Sequence, residues 1–260
     1  MREQMSSFDI HRMVDELQFL VNARCKKTYQ PHHEQLVLRL KPKELPQNDL
    51  VIIRGQRLYL SSRDRPMPHQ PAPFAMLLRK HLSNARIEEI SQIGFDRVIR
   101  IVFDAKMGRR ELIIECFRNG NLILLDEHCT IIAPLTHSKS SDRVIKKGAP
   151  YLPPSGTINP VELTKNTLMD ILNKSEINLV KTLATQVNLG GQQAELLCKT
   201  AEIDSQKSTK EIIDSDDEFE RIFEGLMTLI GDLKNNNSGG YLSLKTEEIE
   251  QTESEIEKFA

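Results

Sequence analysis

The sequence predicts an α+β protein, in which an antiparallel sheet with flanking helices precedes an all-helical module. Short β-branched runs between turn residues occupy much of residues 1–154, and apolar residues at helical spacing fill residues 155–233. The stretch 143–156, "RVIKKGAPYLPPSG", is rich in Pro and Gly and separates the two parts. Residues 234–260 are predicted to form a flexible linker and an acidic, helix-prone tail with the composition of a coiled-coil start.

The predicted N-terminal part begins with an amphipathic helix. Apolar residues from Ile10 to Val21 recur at helical spacing, and Ser6 with Asp9 fits the capping box Ser-x-x-Asp. Asn-Gly at 119–120 is a strong hairpin signal. Strands are predicted at 36–40, 50–53 and 57–61, a helix at 74–82, and a meander from "IEEISQI", "RVIRIVF", "ELIIECF", "NLILLD" and "CTIIAPL".

The C-terminal part is predicted to be helical throughout. Its first helix is "PVELTKNTLMDILNK", and its last is the well-capped amphipathic stretch "DSDDEFERIFEGLMTLIGDL". Between them, residues 177–201 predict two short helices that are joined through the sequence Asn-Leu-Gly-Gly at 188–191.

Charge is distributed unevenly along the chain. Residues 1–154 contain 25 Lys+Arg and 17 Asp+Glu, a net charge of +8, whereas residues 155–260 contain 10 and 20, a net charge of −10. A basic N-terminal part is what a phosphate-rich partner requires. A solvated surface of mixed charges is the alternative at this modest excess.

The sequence carries no signal for a membrane or for export. No run of about 20 apolar residues is present, and the N-terminal residues lack the apolar core of a signal peptide. The four cysteines are scattered without a Cys-x-x-Cys pair, which favours reduced thiols in a cytosol over disulfides or a zinc site. We therefore expect a cytoplasmic protein without membrane contact or a bound metal.

Motifs of catalytic chemistry are absent from the sequence. It contains no Gly-x-Ser-x-Gly, no phosphate-cradling GxxxxGK[ST] and no His-Glu-x-x-His. The pair His32-His33 falls in a predicted polar loop, where adjacent histidines are more often surface residues than metal ligands. We therefore predict a protein that is not an enzyme and that uses no cofactor.

The stretch "QIGFDRVIRIVF" at 92–103 places an acid and a base, Asp96 and Arg97, side by side at the start of a strand. Neighbours in a strand point to opposite faces, so the two side chains need not pair and each can address a different group. A surface ion pair or a pair of strand-edge charges is the structural alternative.

The turn Leu189-Gly190-Gly191 between two short helices predicts a helix-hairpin-helix. Its glycines allow close approach of the backbone, and the N–H groups at the start of the second helix can bind phosphate. An ordinary αα-hairpin with a glycine cap is the alternative, and the acidic character of this part weakens a claim of duplex binding.

Five separated segments, in order and at matching spacing, resemble the N-terminal part of the NFACT family, the RqcH- and NEMF-type proteins. They are "SSFDI…VDEL", "FAMLLRKHL", "QIGFDRVIRIVF", "NGNLILLD" and "RVIKKGAPYLPP". The resemblance covers about residues 1–233 and implies a glycosylase-like (MutM-type) β-sandwich domain followed by a helix-hairpin-helix module. Glycosylases begin on a catalytic proline, which this chain lacks, so base excision is not expected.

The resemblance implies a role in ribosome-associated quality control. Family members bind a large ribosomal subunit that carries a stalled peptidyl-tRNA, and they recruit aminoacyl-tRNA for untemplated C-terminal tailing in which alanine is prominent. They also continue into a long coiled coil and a further RNA-binding domain, so we expect this chain to be a fragment or a truncated member. An adhesin-type, fibronectin-binding role is the rival, and the cysteine usage and missing export signal argue against it.

Carried onto this sequence, the family motifs imply tRNA contacts by Asp9, Asp96 and Arg97. Backbone contacts are expected from three further cations, Arg79, Lys80 and Arg100. Asp9 also fits the helix cap, and the two cations at 79–80 also suit a solvated helix end.

Overall fold

The computed structural model describes residues 4–63, 66–140, 143–154 and 158–234. Helices in this part are α1 (Ser7–Glu16), α2 (Pro73–Leu82), α3 (Lys165–Lys174), α4 (Leu179–Thr185), α5 (Gly191–Thr200), α6 (Thr209–Ile213) and α7 (Asp216–Lys234). Strands are β1 (Arg24–His32), β2 (Gln35–Lys41), β3 (Asn48–Ile53), β4 (Arg57–Ser61), β5 (Arg86–Gln92), β6 (Val98–Ala105), β7 (Gly108–Glu115), β8 (Leu122–Leu125), β9 (Ile131–Pro134), β10 (Ser138–Lys139) and β11 (Val144–Ile145). The predicted linker and acidic tail lie outside the described residues beyond Lys234.

Nine strands form one antiparallel sheet in the order β4-β3-β2-β1-β5-β6-β7-β8-β9. Strands β1 and β5 are joined at a single register pair, Arg24 opposite Arg86, so the sheet divides there into two halves. Apolar residues from one face of both halves contact a common core with α1 and α2. The predicted α+β fold, with its antiparallel sheet and flanking helices, is confirmed.

Side-chain alternation decides which face of a strand is buried. In β2, Leu36, Leu38 and Leu40 enter the common core, whereas Val37 points to the other face and packs with Tyr29. Burying a side chain of this size contributes about 1.5–3 kcal/mol, so the main core carries most of the stability of this part.

The predicted strands and helices are present, and several details differ. Strand β1 was not predicted, because its sequence "RCKKTYQPH" is mostly polar and contains a proline; it is held by its ladder with β2. His32, predicted to lie in a loop, ends this strand. The helix predicted from Pro160 begins only at Lys165, because a 3₁₀ turn comes first and Thr164 caps α3. The short helix α6 was also not predicted.

The helices of the C-terminal part pack around a core of their own. Residues of α3 to α7 supply most of it, and Phe8 and Phe95 from the sheet part complete it. The two parts therefore meet at these aromatic side chains. None of the described helices is both long and apolar enough to cross a membrane.

The β7–β8 hairpin depends on a glycine. Asn119 adopts a positive φ of 64°, as the Asn-Gly signal predicts. A Cβ atom on Gly120 would lie 2.3 Å from the Glu115 carbonyl oxygen and 2.7 Å from that of Phe117. Both contacts are with backbone, so the hairpin has no space for a side chain there.

A buried carboxylate fixes the segment that follows the sheet. Glu115, only 2% exposed, accepts hydrogen bonds from the Arg143 guanidinium and from the Tyr151 hydroxyl at 3.1 Å. Arg143 also donates through Nε to the Leu152 carbonyl at 2.8 Å. Burial, together with the charge of Glu115, raises the pKa of Tyr151. The network holds residues 143–152 against the end of β7.

We expect Gly120→Ala to lower the free energy of unfolding by about 1–3 kcal/mol, because the added methyl group must displace backbone. Gly231→Ala is the control, since no atom lies near its Cβ position and the residue is helical. This variant should raise the free energy of unfolding by up to about 1 kcal/mol. Urea denaturation of both variants measures the difference. Equal stability of the two variants would contradict the packing argument.

We expect Arg143→Met to lower the free energy of unfolding by about 3–5 kcal/mol, because it leaves the buried Glu115 carboxylate without its cation. The double change Glu115→Gln, Arg143→Met should recover much of this loss. The control is Arg86→Met, which breaks an ion pair between two exposed side chains and should cost less than about 1 kcal/mol. Thermal and urea unfolding measure all three, and similar losses for both single variants would refute the buried pair.

Candidate functional site

A cleft of about 710 Å³ lies between the sheet part and the helical part. It is lined by the start of α1 at Ser6 and Ser7, the bend before β6 at Asp96 and Arg97, the α4–α5 hairpin, and Pro154. The acid–base pair and the glycine hairpin, predicted separately from the sequence, therefore line the same cleft.

Asp96 and Arg97 lie in a bend, not within a strand. Gly94 enables the bend with a positive φ of 58°, and the Asp96 N–H donates to the Ile93 carbonyl at 3.4 Å. The two residues thus come directly before β6, and both line the one cleft. The Arg97 carbonyl accepts a hydrogen bond from the Cys116 N–H at 2.8 Å, which ties the bend to the end of β7.

The Arg97 guanidinium has no hydrogen bond or ion pair within the described part of the chain, and its central carbon lies 5.9 Å from the centroid of the Phe117 ring. The Asp96 carboxylate accepts a hydrogen bond from the Arg97 backbone N–H at 2.6 Å. The surface ion pair that the sequence left open is not formed among these residues. Burial raises the pKa of Cys116 to about 12, and the nearby Arg97 charge opposes that rise.

Gln92 joins the bend to α1. Its amide nitrogen donates to the Ser7 carbonyl at 3.0 Å and to the Asp96 carbonyl at 2.8 Å, and its amide oxygen contacts His11 Nδ1 at 3.1 Å. The rings of Phe8 and Phe95 meet edge to face with centroids 5.0 Å apart.

Asp9 serves the start of α1. Its Oδ2 accepts hydrogen bonds from the Ser6 N–H at 2.7 Å and from the Ser6 hydroxyl at 2.8 Å, while the Asp9 N–H donates back to Ser6 Oγ. The predicted capping box is thus confirmed. Ser6 lines the cleft, so Asp9 fixes one wall of it; a direct contact of Asp9 with a ligand stays a prediction.

The α4–α5 hairpin presents backbone to the cleft. Leu189 is fully buried, Gly190 has a positive φ of 77°, and no side chain caps the start of α5. Gln193, in the first turn of α5, lines the same cleft. Its Oε1 is buried without a hydrogen-bond partner among the described residues.

Asn188 connects this hairpin to the acid–base bend. It adopts a positive φ of 63°, and its amide nitrogen donates to the Phe95 carbonyl at 2.8 Å and to the Ile158 carbonyl at 3.1 Å. Sequence reasoning missed this role, because Asn188 precedes the glycines as an ordinary turn residue and its partner lies 93 positions away.

The three further cations predicted to contact RNA do not line the cleft. Arg79 donates to the Thr28 carbonyl at 2.8 Å and lies 5.2 Å from the Tyr29 ring centroid. Arg100 forms an ion pair with Glu89 at 2.7 Å. Lys80 lines a separate groove. Among the residues that the structure describes, no group of three or more His, Cys, Asp or Glu could hold a metal ion.

We expect Asn188→Gly to loosen the acid–base bend, because it removes two hydrogen bonds. Glycine adopts the positive φ of this position without strain, so the effect can be assigned to the lost amide group. Hydrogen exchange should quicken at the amides of residues 93–98, with a loss of about 1–2 kcal/mol in stability. Asn84→Gly is the matched control, since Asn84 also has a positive φ but its side chain contacts only exposed Lys26. Unchanged exchange at 93–98 in the Asn188 variant would contradict the role of its amide.

Residues 6–258 match the family model for the NFACT N-terminal and middle domains. The chain is similar to the archaeal Rqc2 homolog aRqcH of Methanocaldococcus jannaschii, with 34% identity over 247 residues that cover 91% of this chain and 36% of the relative. The Rqc2 homolog RqcH of Streptococcus pneumoniae is 30% identical over 207 residues, which cover 73% of this chain and 37% of the relative. The chain therefore spans little more than a third of these relatives' length.

Solved structures give the same relationship. The N-terminal part of the fibronectin/fibrinogen-binding protein from Streptococcus suis has a TM-score of 0.67 and 29% identity, covering 81% of this chain and 85% of that one. The N-terminal domain of the fibronectin-binding protein PavA from Streptococcus pneumoniae has a TM-score of 0.63 and 28% identity, covering 74% and 79%. The family match across nearly all of the sequence shows that this chain belongs to the NFACT family.

Proposed function

We propose that this chain is a non-enzymatic, tRNA-engaging module of ribosome-associated quality control. The observation that carries the proposal is that Asp96, Arg97 and the glycine hairpin line one cleft. The Arg97 guanidinium makes no ion pair or hydrogen bond with the described residues. The names of the relatives support the process, since they include Rqc2 homologs and the human ribosome quality control complex subunit NEMF.

The groups in the cleft suit different parts of one RNA. Arg97 can form a forked pair with a phosphate or a base edge, and the uncapped N–H groups at the start of α5 suit a phosphate oxygen. A carboxylate repels phosphate, so Asp96 would accept hydrogen bonds from a base amino group or a ribose 2′-hydroxyl.

The proposed function also implies a specific domain architecture. The two half-sheets around one core would be the β-sandwich of a glycosylase-like domain over residues 1–154, and the α4–α5 hairpin a helix-hairpin-helix module within 155–233. In this arrangement the ligand cleft lies at the domain junction, a common place for binding sites.

The partners follow from the proposed process. They are aminoacyl-tRNA, with alanyl-tRNA among the candidates, and a large ribosomal subunit with a stalled peptidyl-tRNA, met in the cytoplasm. The proposed outcome is untemplated C-terminal tailing of the nascent chain. The rival is an adhesin-type module, favoured only by the fibronectin-binding names of the two structural neighbours. Binding of immobilised fibronectin without any tRNA binding would support that rival.

We expect the double change Asp96→Ala, Arg97→Ala to abolish tRNA association at near-normal thermal stability. Neither side chain pairs with another side chain in the described part of the chain, so their removal costs little folding energy. The matched control is Asp104→Ala, Lys106→Ala, an exposed acid and base outside the cleft. Filter binding with a tRNA pool and thermal melting measure the two effects. Parallel losses of binding and melting temperature would indicate a structural role instead.

A further inference from the structure

A basic surface separate from the cleft lies in a groove of about 530 Å³ between α2 and the sheet-edge strand β9. The floor of this α2–β9 groove is apolar and includes Met76, Leu77 and Pro134. The described residues that line it include no acid; its cations are Lys80 and Lys147, and two histidines, His81 and His137, lie beside them.

The cations of the groove are not used by the fold. Lys80, His137 and Lys147 are exposed, and their side chains make no ion pair or hydrogen bond within the described part of the chain. Arg100 and Arg143, by contrast, each contact a carboxylate. Uncommitted cations around an apolar floor are what an anionic partner with a flat apolar portion requires.

The positions of these residues are fixed by the packing behind them. On α2, Phe74 and Leu78 enter the main core, which leaves Met76 half exposed on the outer side. Lys147 is held beside β9, because the Gly148 N–H donates to the Ile131 carbonyl at 2.8 Å and the Ile131 N–H donates to the Ala149 carbonyl at 2.9 Å. The groove is therefore built on rigid elements.

His81 reports a positive environment in the groove. Its Nδ1 lies 3.4 Å from Arg110 Nε, which donates to it. Burial lowers the pKa of His81, and the charges of Arg110 and Lys80 lower it further. The positive charges of Arg110 and Lys80 disfavour a further positive charge here, whereas a negatively charged partner would reduce the repulsion between them.

We propose that the α2–β9 groove binds the phosphate backbone of a single-stranded or loop segment of RNA. Lys80 and Lys147 would contact phosphates, and a base or ribose would lie on the apolar floor at Met76. The choice of RNA rests on the proposed function, and the excess of +8 over residues 1–154 agrees with it. The groove is a second contact, separate from the cleft that holds Asp96 and Arg97.

The test uses the full chain and two fluorescent probes, a tRNA pool and an unstructured oligouridine of about 20 nucleotides. We expect Lys80→Gln, Lys147→Gln to weaken oligouridine binding roughly tenfold near physiological salt. The slope of log K against log salt should fall by about 1.4, since each single-strand phosphate contact contributes about 0.7. Lys43→Gln, Lys106→Gln removes two exposed lysines elsewhere in the same part and is the matched control.

The outcomes separate the two proposals. Equal losses of oligouridine binding in the groove variant and its control, or no loss in either, overturn the groove proposal. Loss of tRNA binding by Arg97→Gln with no effect of the groove variant on either probe supports the cleft and overturns the groove. A third outcome is that oligouridine binding depends on the groove lysines while tRNA binding is unchanged by substitution of Asp96 and Arg97. It supports the groove proposal and overturns the proposed function. Binding of polyglutamate but neither RNA would mark an acidic protein as the partner and overturn the groove proposal.

Discussion

The contact between Phe8 and Phe95 is the constraint on which the arrangement of this protein depends. Each ring precedes an aspartate of the candidate site, and both rings are buried in the core of the helical part. An edge-to-face aromatic pair adds about 0.5–1.5 kcal/mol to the burial itself. Because the helical part packs on these rings, the start of α1, the bend before β6 and the α4–α5 hairpin must meet at one place.

Hydrogen bonds from two amide side chains convert this packing into a defined geometry. Gln92 connects the bend to α1, and Asn188 connects it to the hairpin. Beneath the bend, the buried pair of Glu115 and Arg143 fixes the end of β7. Charges that stabilise the fold are therefore paired, and the Arg97 charge at the cleft is not paired within the described part of the chain. That division is what a preorganised binding surface requires.

The two proposed surfaces differ in their chemistry. The cleft combines a cation with hydrogen-bond acceptors and backbone donors, which would allow it to distinguish groups on a folded RNA. The α2–β9 groove combines cations with an apolar floor and no acid among its described lining residues, which suits a backbone of any sequence. One RNA in contact with both would be oriented by the cleft and held mainly by the groove.

Local signals in the sequence determined the elements: β-branched runs, the Asn-Gly turn and the Ser6–Asp9 capping box each act within a few residues. They also marked Asp96, Arg97 and the glycine hairpin as candidates. Strand β1 escaped prediction because its ladder with β2, and not its own polar sequence, holds it. Only the tertiary structure decided that the acid–base pair and the hairpin share a cleft and that Lys80 lies elsewhere. These positions depend on how the two cores pack together, a long-range property that no local pattern encodes.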